Sequence, residues 1–279
     1  MHRVLILGAN GMLGQALQRT KPDTIELIAW DRGDCDITHL QEVMELIPGT
    51  NASWIVNCAA YNDVDGAQTH HDQAIAVNAQ AVKHIADAAT RTHARLLHIS
   101  TDYVFDGTKQ EGYAEGDPPN PLSVYGQSKL AGETEALRAS GGIVVRTSRL
   151  FGLPGEGKKS FVDIILDKLK IQDRIEVIDS EWSSPTFVDD LAKELWKMVA
   201  GPLSAAGLYH RTNDGVCTWY EFAQEIIAIK KISCELVPVD ASYYQRAAQR
   251  PKYSTLLTTK LPLMRSWQEA LKEYLQSQS

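Results

Sequence analysis

The residues of this chain best suited to do chemistry are Tyr125 and Lys129, which stand four positions apart. On a helix, residues with that spacing share a face and lie roughly 6 Å apart. An ammonium group there favours the phenolate and lowers the pKa of the tyrosine from its usual value of about 10, so Tyr125 could exchange a proton with an alcohol or a developing alkoxide near neutral pH. The hydroxyl of Thr101, a short way upstream, could hold the same oxygen. Because such pairs also occur by chance, the pair indicates a catalytic site only if the surrounding elements would place it beside a ligand.

A glycine-rich loop near the start of the chain predicts a nucleotide site. The apolar run at residues 4–7 is typical of a strand buried on both faces of a parallel sheet. The loop after it has the spacing G-x-x-G-x-x-G, a variant of the dinucleotide fingerprint, and comprises Gly8, Ala9, Asn10, Gly11, Met12, Leu13 and Gly14. Such a loop permits a tight turn, a close approach to a pyrophosphate and a helix N-terminus aimed at the anion. The alternative is an ordinary glycine-rich turn between a strand and a helix.

A second predicted strand, at residues 25–30, ends in Asp31 and Arg32 about twenty residues past the glycine-rich loop. An acid at this point usually binds the ribose 2′-hydroxyl and favours NAD. Arg32 could instead accept a 2′-phosphate and stack on adenine, and an ordinary surface ion pair is the alternative for both residues. The cofactor is therefore predicted to be NADPH or NADH, with the choice left open.

Composition narrows the class of protein. The chain has 279 residues, of which 44% are hydrophobic and 23% charged, and its net charge is −7 with a pI of about 5.6. With no basic run and no apolar stretch near the ~18 residues of a membrane span, neither nucleic acid nor a membrane is an expected partner. Residues 1–3 lead directly into the first strand without room for a signal peptide, and the four cysteines are scattered, so we expect a cytosolic protein with reduced thiols. The eight histidines form no H-x-x-x-H pattern, so no dedicated catalytic metal is expected.

The order of predicted elements indicates an α/β fold. Strand and helix patterns alternate through the first 150 residues. A strand end is predicted near Cys35, further strands at residues 53–60, 95–100 and 142–146, and a long helix from about residue 72 to 92. This succession predicts a Rossmann-type, doubly wound parallel sheet over residues 1–150. Residues 151–279 are predicted to form mainly a smaller substrate-binding lobe, with some helices and strands returning to the sheet domain.

The predicted strand ends converge on one edge of the sheet, where ligands of open α/β folds lie. Residues of this edge that follow the strand ends are Asp36, Ile37, Ala59, Ala60, Tyr61, Ser100, Thr101 and Asp102. The small side chains of Ala59 and Ala60 would let the backbone approach a cofactor, although close packing alone explains them equally well. Thr101 could be a turn cap instead.

The motifs of the chain together resemble the extended short-chain dehydrogenase/reductases and, more narrowly, the dTDP-4-dehydrorhamnose reductases, which reduce a C4 ketone to make dTDP-L-rhamnose. The residues that carry the resemblance are 8–14, 57–61, 100–107, 125–133, 146–148, 184–186 and 250–254. The resemblance implies that Tyr125 donates the proton, that Lys129 lowers its pKa and holds the nicotinamide ribose, and that Thr101 and Asp102 bind the sugar. It further implies a cofactor site that includes Gly11, Met12, Leu13, Asp31, Asp36, Ile37, Ala59, Ala60 and Tyr61, and substrate contacts from Arg250.

Two features discriminate within this superfamily. Tyr103 stands where nucleotide-sugar dehydratases carry a glutamate, which indicates simple ketone reduction rather than elimination of water. Arg149 stands where the reductases usually have tryptophan, and residues 157–161 lack the usual Asn-Asn pair. Arg149 could reach a phosphate, a carboxylate or an extra hydroxyl of the substrate, and a tolerated surface arginine is the alternative.

Three hypotheses follow. The protein is a dTDP-4-dehydrorhamnose reductase, a relative acting on another nucleotide-linked keto sugar in the manner of dihydrostreptose synthases, or a non-catalytic NADP-binding regulatory subunit like the β subunit of methionine adenosyltransferase. A homodimer stays open. So does a bridging Mg²⁺ ion, for which Gln15 offers no carboxylate just after the glycine-rich loop.

Overall fold

The computed structural model describes residues 2–156, 159–201 and 205–278. Gly157 and Lys158, of the segment that lacks the usual Asn-Asn pair, lie outside the described residues. The strands of these ranges are β1 (His2–Leu7), β2 (Ile25–Trp30), β3 (Trp54–Asn57), β4 (Arg95–Thr101), β5 (Ile143–Thr147), β6 (Leu150–Phe151), β7 (Arg174–Ile178), β8 (Trp182–Ser183), β9 (Thr186–Phe187), β10 (Gly207–His210), β11 (Cys217–Thr218) and β12 (Glu235–Val239). The helices are α1 (Met12–Arg19), α2 (Leu40–Gly49), α3 (Gly66–Thr69), α4 (His71–Ile75), α5 (Ala81–Thr92), α6 (Val124–Arg138), α7 (Phe161–Lys168), α8 (Val188–Ala200), α9 (Trp219–Lys230) and α10 (Trp267–Ser277), together with 3₁₀ turns at Asp102–Val104 and Ala241–Tyr243.

Six strands form the central sheet in the order β10-β5-β4-β3-β1-β2, and every neighbouring pair is parallel. Val4 and Ile6 of β1 point to the face that α1 and α8 cover, whereas Leu5 and Leu7 point to the face that α2 and α5 cover. Burial on both faces explains why β1 is apolar at consecutive positions rather than at alternate ones. The predicted doubly wound parallel α/β sheet is therefore confirmed.

The predicted third strand ending near Cys35 is wrong. Residues 31–39 contain no strand, because the chain after β2 closes a turn in which Asp34 and Cys35 donate backbone hydrogen bonds to Asp31 O, at 2.9 and 3.2 Å. The strands predicted at residues 53–60 and 95–100 are therefore the third and fourth strands of the chain. The turn still delivers Asp36 and Ile37 to the predicted edge of the sheet.

The predicted long helix is confirmed, with one irregular turn. Its continuous path consists of α4, a π-helical segment at Ala76–Gln80, and α5. The widened turn lies against α6, where a Cβ added to Gly132 would stand 2.1 Å from the carbonyl oxygen of Asn78. Such π segments often occur at functional sites, and this one brings the buried Asn78 next to the helix that carries Tyr125 and Lys129.

The second half of the chain contributes to two cores. Phe151, Phe222 and Tyr274 belong to a separate apolar cluster among α7, α9 and α10. In contrast, β10 pairs with β5 in the central sheet, and α8 packs on one face of that sheet. The division of the chain near residue 150 into two domains stays a prediction. Among the described residues, no helix is both long and apolar enough to cross a membrane.

Candidate active site

Two adjoining clefts open at the carboxyl edge of the sheet. The first, which we call the tyrosine cleft, measures about 620 Å³ and contains the predicted residues Gly8, Gly11, Met12, Leu13, Gly14, Ala60, Thr101, Asp102, Tyr125, Lys129 and Arg149. The second, the aspartate cleft, measures about 530 Å³ and contains Gly8, Asn10, Gly11, Asp31, Arg32, Asp36, Ile37, Ala59, Ala60 and Tyr61. The structure therefore brings together all the predicted site residues except Arg250, which lies in a neighbouring cavity.

The glycine-rich loop is shaped by close contacts between backbones. Gly8 has a φ of +80°, and a Cβ there would lie 2.7 Å from the backbone nitrogen of Ala59. A Cβ at Gly14 would lie 2.2 Å from the carbonyl oxygen of Gly8. Helix α1 starts at Met12 without a side-chain cap, so its first backbone N–H groups are available for an anion. These are the features that a pyrophosphate site requires.

Asp31 and Arg32 organise the mouth of the aspartate cleft. The carboxylate of Asp31 accepts hydrogen bonds from the backbone N–H groups of Asn10 and Arg32, both at 2.7 Å. The side chain of Arg32 is 78% exposed and forms an ion pair with Asp36 at 3.0 Å. Both residues border the cleft, as expected for residues that follow the second strand and bind the ribose. Their roles toward a ribose or a 2′-phosphate stay predictions.

Glu156 is a residue of this region that the sequence did not single out. Its backbone N–H donates to the carbonyl oxygen of Asn10 at 2.8 Å, and its carboxylate accepts from the Asn10 side chain at 3.0 Å. The preceding Gly155 packs so closely on the glycine-rich loop that an added Cβ would be 2.5 Å from Asn10 O. Glu156 consequently borders both clefts.

Tyr125 and Lys129 lie on one buried face of α6. Ser123 caps this helix by accepting a hydrogen bond from Gly126 N at 3.2 Å, and both predicted residues are less than a tenth exposed. The prediction that Lys129 lowers the pKa of Tyr125 is wrong for this structure, in which burial raises it. A hydrogen bond with Thr101 offsets part of this rise. The ammonium group of Lys129 instead donates to the carbonyl oxygen of Ile99 at 2.7 Å, and burial lowers its own pKa to about 8.

Asp102 is held beneath the tyrosine cleft by three hydroxyl groups. It accepts hydrogen bonds from Ser254 at 2.6 Å, from Ser183 at 3.2 Å and from Thr101 at 3.1 Å. Burial raises its pKa above the ordinary value for aspartate. The hydroxyl oxygen of Thr101 also accepts from Tyr103 N at 3.2 Å, so Thr101 caps a turn and faces Tyr125 at once.

Arg149 is half-buried and is held by the fold on several sides. Its guanidinium donates to the carbonyl oxygens of Cys217 at 2.9 Å and Glu181 at 2.8 Å, and lies 4.0 Å from the ring centroid of Trp219. Its backbone φ of +43° is in the left-handed region. Arg149 is thus a fixed wall of the tyrosine cleft rather than a solvated side chain, and an aromatic ring is present beside it, supplied by α9.

Arg250 lies outside the tyrosine cleft, in an ion pair with Asp65. The two N–O distances of this pair are both 2.6 Å, and the guanidinium holds the pKa of Asp65 at about 2. The pair joins the chain after β3 to the C-terminal segment. Beside it is a cavity of about 300 Å³, which we call the arginine cavity; its lining includes Tyr103, Phe161, Ile165, Glu181, Trp219, Tyr244, Arg246 and Arg250.

Several buried polar residues behind the clefts were not predicted from the sequence. Asn57, Asn78 and His98 are fully buried. Asn78 binds the backbone of Tyr61 on both sides, at 2.8 and 3.0 Å, and donates to Ser128 at 2.9 Å. The one signal in the sequence that could have indicated any of them was the position of Asn57 at the end of a predicted strand. Within the described ranges, no group of three or more His, Cys, Asp or Glu residues could hold a metal ion.

Comparison with known proteins adds independent findings. The sequence family described as RmlD substrate binding domain matches residues 1–279. A dTDP-4-dehydrorhamnose reductase of Aggregatibacter actinomycetemcomitans is 37% identical over 98% of each chain, and the spore coat polysaccharide biosynthesis protein SpsK of Bacillus subtilis is 34% identical over 100% of this chain and 99% of the relative. The solved structure of a dTDP-4-dehydrorhamnose reductase from Bacillus anthracis in complex with NADP has a TM-score of 0.93, with 34% identity and 99% of both chains covered.

Proposed function

Because the chain belongs to the RmlD substrate binding domain family, we propose that it reduces the C4 ketone of dTDP-4-dehydrorhamnose to give dTDP-L-rhamnose, with NADPH or NADH as the reductant. The observation that carries the proposal is the single cleft in which Tyr125, Lys129 and Thr101 face the glycine-rich loop. The predicted resemblance to dTDP-4-dehydrorhamnose reductases is confirmed by relatives that align over nearly their whole length.

The residues present fit a dinucleotide. The first N–H groups of α1 and the glycine-rich loop would hold the pyrophosphate, and the aspartate cleft would take the adenosine half. Lys129 would bind the nicotinamide ribose in the tyrosine cleft. When bound, the dihydronicotinamide supplies the hydride that reduces the ketone.

Tyr125 is suited to supply the proton. Burial raises its pKa, so the phenol stays protonated at neutral pH and can donate to the C4 oxygen as that oxygen gains negative charge. Thr101 faces Tyr125 and offsets part of this rise in its pKa. The phenolate left after proton transfer would be stabilised by the hydroxyl of Thr101, which acts to lower the pKa of Tyr125.

The substrate would extend from the tyrosine cleft into the arginine cavity. The apolar and aromatic lining of that cavity suits a nucleotide base. Tyr103, which borders both spaces, has its pKa raised to about 12 by burial. It therefore does not replace the carboxylate that a dehydratase needs, which supports reduction as the reaction.

A second candidate is reduction of a different nucleotide-linked keto sugar, and the observation that favours it is Arg149. This arginine forms the wall of the tyrosine cleft at the position where the reductases usually carry tryptophan. One relative, 36% identical over 97% of this chain, is a probable dTDP-4,6-dihydroxy-2-methyloxan-3-one 4-ketoreductase of Streptomyces antibioticus. The complete Thr101, Tyr125 and Lys129 set argues against a non-catalytic regulatory subunit.

The test is NADPH and NADH oxidation by the purified protein with dTDP-4-dehydrorhamnose, compared with a panel of other dTDP-linked 4-keto sugars. Preference for dTDP-4-dehydrorhamnose supports the main proposal. Preference for another sugar supports the second candidate instead. Cofactor binding without turnover on any member of the panel overturns both candidates. A cytosolic location and a homodimer stay predictions.

A further inference from the structure

A row of buried polar groups runs behind the tyrosine cleft from Asn57 through His98 to Lys129. The Asn57 side-chain nitrogen lies 3.1 Å from His98 Nδ1, and His98 Nε2 lies 3.5 Å from Lys129 Nζ. Asn57 and His98 are fully buried and Lys129 is 2% exposed. The proposed reaction assigns no part to Asn57 or His98.

The orientation of the Asn57 amide is decided by the backbone. Ala59 N donates a hydrogen bond to Asn57 Oδ1 at 3.1 Å. A backbone N–H can only donate, so the amide oxygen must face Ala59 and the amide nitrogen must face His98. Because that nitrogen is also a donor, His98 Nδ1 must be the acceptor.

This contact determines the tautomer of His98. Burial, together with the neighbouring Lys129, holds the pKa of His98 well below its ordinary value, so the imidazole is neutral near pH 7. A neutral imidazole whose Nδ1 accepts a hydrogen bond carries its proton on Nε2. The Nε2–H group consequently points at the nitrogen of Lys129.

Lys129 responds to this N–H group differently in its two charge states. An ammonium has only donors, whereas a neutral amine can donate to Ile99 O and still accept from His98 Nε2. Two other groups act on Lys129 in the opposite direction, Glu133 on its own helix and Cys58 after β3. The carboxylate of Glu133 is already paired with the guanidinium of Arg146 at 2.6 and 2.8 Å, which limits its effect on Lys129.

We propose that His98 is a positioning residue whose Nε2–H, fixed by Asn57, favours the uncharged amine of Lys129. Lys129 is then able to change its charge near neutral pH instead of holding a permanent ammonium beside Tyr125. Burial already lowers the pKa of Lys129 to about 8, and the Nε2–H group of His98 acts in the same direction. The inference rests on the proposed function only in that Lys129 belongs to the reductase site.

The first test measures the tautomer directly in the wild-type protein. Histidine labelled with ¹⁵N would show, near pH 7, a protonated Nε2 and an unprotonated Nδ1 for His98, assigned by loss of the signals in His98→Leu. A proton on Nδ1 would overturn the inference. This measurement requires no turnover, so it stands even if the proposed reaction fails.

The second test reverses the tautomer. In Asn57→Asp, a carboxylate would accept from Ala59 N and from His98 Nδ1–H, which leaves Nε2 as an acceptor for the Lys129 ammonium. The midpoint of the Lys129 titration, followed with ¹³C-labelled lysine, should rise by on the order of 1 pH unit, and the alkaline limb of kcat should move with it.

The matched control for a direct charge effect is Asn57→Asp in a His98→Leu background. If His98 transmits the change, the rise in the Lys129 midpoint is mostly lost in the double variant. A rise of the same size in both backgrounds means that the aspartate acts through space, and it would overturn the proposal. If the protein shows these shifts in the Lys129 signal but no turnover, the proposed function is contradicted and the role of His98 is not.

Discussion

The two sides of the site are built in different ways. On the proposed cofactor side, backbone groups do most of the shaping, through the glycine-rich loop, the start of α1 and the small residues after β3. On the proposed substrate side, long side chains from distant parts of the chain do it, as Arg149 does with Cys217 and Glu181. A backbone-shaped site tolerates few substitutions, whereas a side-chain site can change its ligand while the fold is kept.

The departures from the family pattern follow this division. The glycine-rich loop keeps its spacing, and the changes cluster at Arg149 and residues 157–161. At Gly14 any added Cβ would lie within 3 Å of main-chain atoms of Gly8 and Ala9, so another residue fits only if the loop itself shifts. At Arg149 the opposing groups are two carbonyl oxygens and the Trp219 ring, which other side chains can face in other ways.

Tyr125 stands where the two sides meet, and its removal has the largest expected effect. In Tyr125→Phe we expect kcat with the nucleotide sugar to fall by roughly 10³-fold, because the proton donor is lost. The dissociation constant for NADPH, measured by fluorescence titration, should stay within about twofold. Retention of most of the activity would mean that another group donates the proton.

Gly14→Ala tests the cofactor side. The added Cβ would stand 2.2 Å from Gly8 O and 2.7 Å from Ala9 O, so the loop must shift. We expect a loss of about 1–3 kcal/mol in the free energy of unfolding, by denaturant titration, and NADPH binding weakened about tenfold. Gly49→Ala is the matched control, because a Cβ there meets nothing within 4 Å, and equal losses in both variants would contradict the explanation.

Arg149→Lys tests the substrate side. A lysine cannot donate to the carbonyl oxygens of Cys217 and Glu181 and stack on Trp219 at the same time. We expect the KM for the nucleotide sugar to rise by about fivefold to tenfold, while the KM for NADPH is unchanged. Equal changes in both KM values would show that the two sides are not separable.

Arg149→Trp sharpens the same comparison. From the sequence alone, restoring the family tryptophan is predicted to improve activity on the rhamnose precursor. The structure leads us to expect a lower rate instead, because the left-handed backbone and the neighbouring Trp219 leave a second indole poorly accommodated. A faster rate in steady-state kinetics would contradict the structural expectation and favour a drifted sugar pocket.

The smallest expected effect concerns the ion pair of Asp65 and Arg250. The pKa of Asp65 falls from 3.8 to about 2 on folding, so its contribution to stability is complete above pH 3.8 and is lost as pH falls toward 2. Because the Asp65 side chain is 41% exposed, solvent screening keeps the effect small. The Tm of Asp65→Asn should lie below that of the wild type near neutral pH and converge with it near pH 2. Asp87→Asn, which removes an exposed ion pair with Lys83, is the control, and an equal pH-dependent difference in both variants would contradict this explanation.

Local patterns predicted most of the sheet and the cofactor side. A buried strand, a glycine-rich loop and a helix start are all readable within fifteen residues, since each follows from steric and hydrogen-bonding rules of the backbone. The strand near Cys35 was wrongly predicted because apolar residues in a hydrogen-bonded turn resemble a short strand. The prediction that Lys129 lowers the pKa of Tyr125 was wrong because the spacing along a helix gives proximity but not burial. Burial decides the pKa values of both residues.

By itself, the sequence determined the type of sheet, the place of the loop for an anion, and the tyrosine and lysine on one helix face. The tertiary structure alone decided that Trp219 lies against Arg149, that Asp65 holds Arg250, and that Asn57 turns His98 toward Lys129. The reason is physical. Backbone rules act over a few residues, whereas these contacts join positions 41 to 185 residues apart, and their energies depend on a burial that exists only once the sheet and the second core have packed.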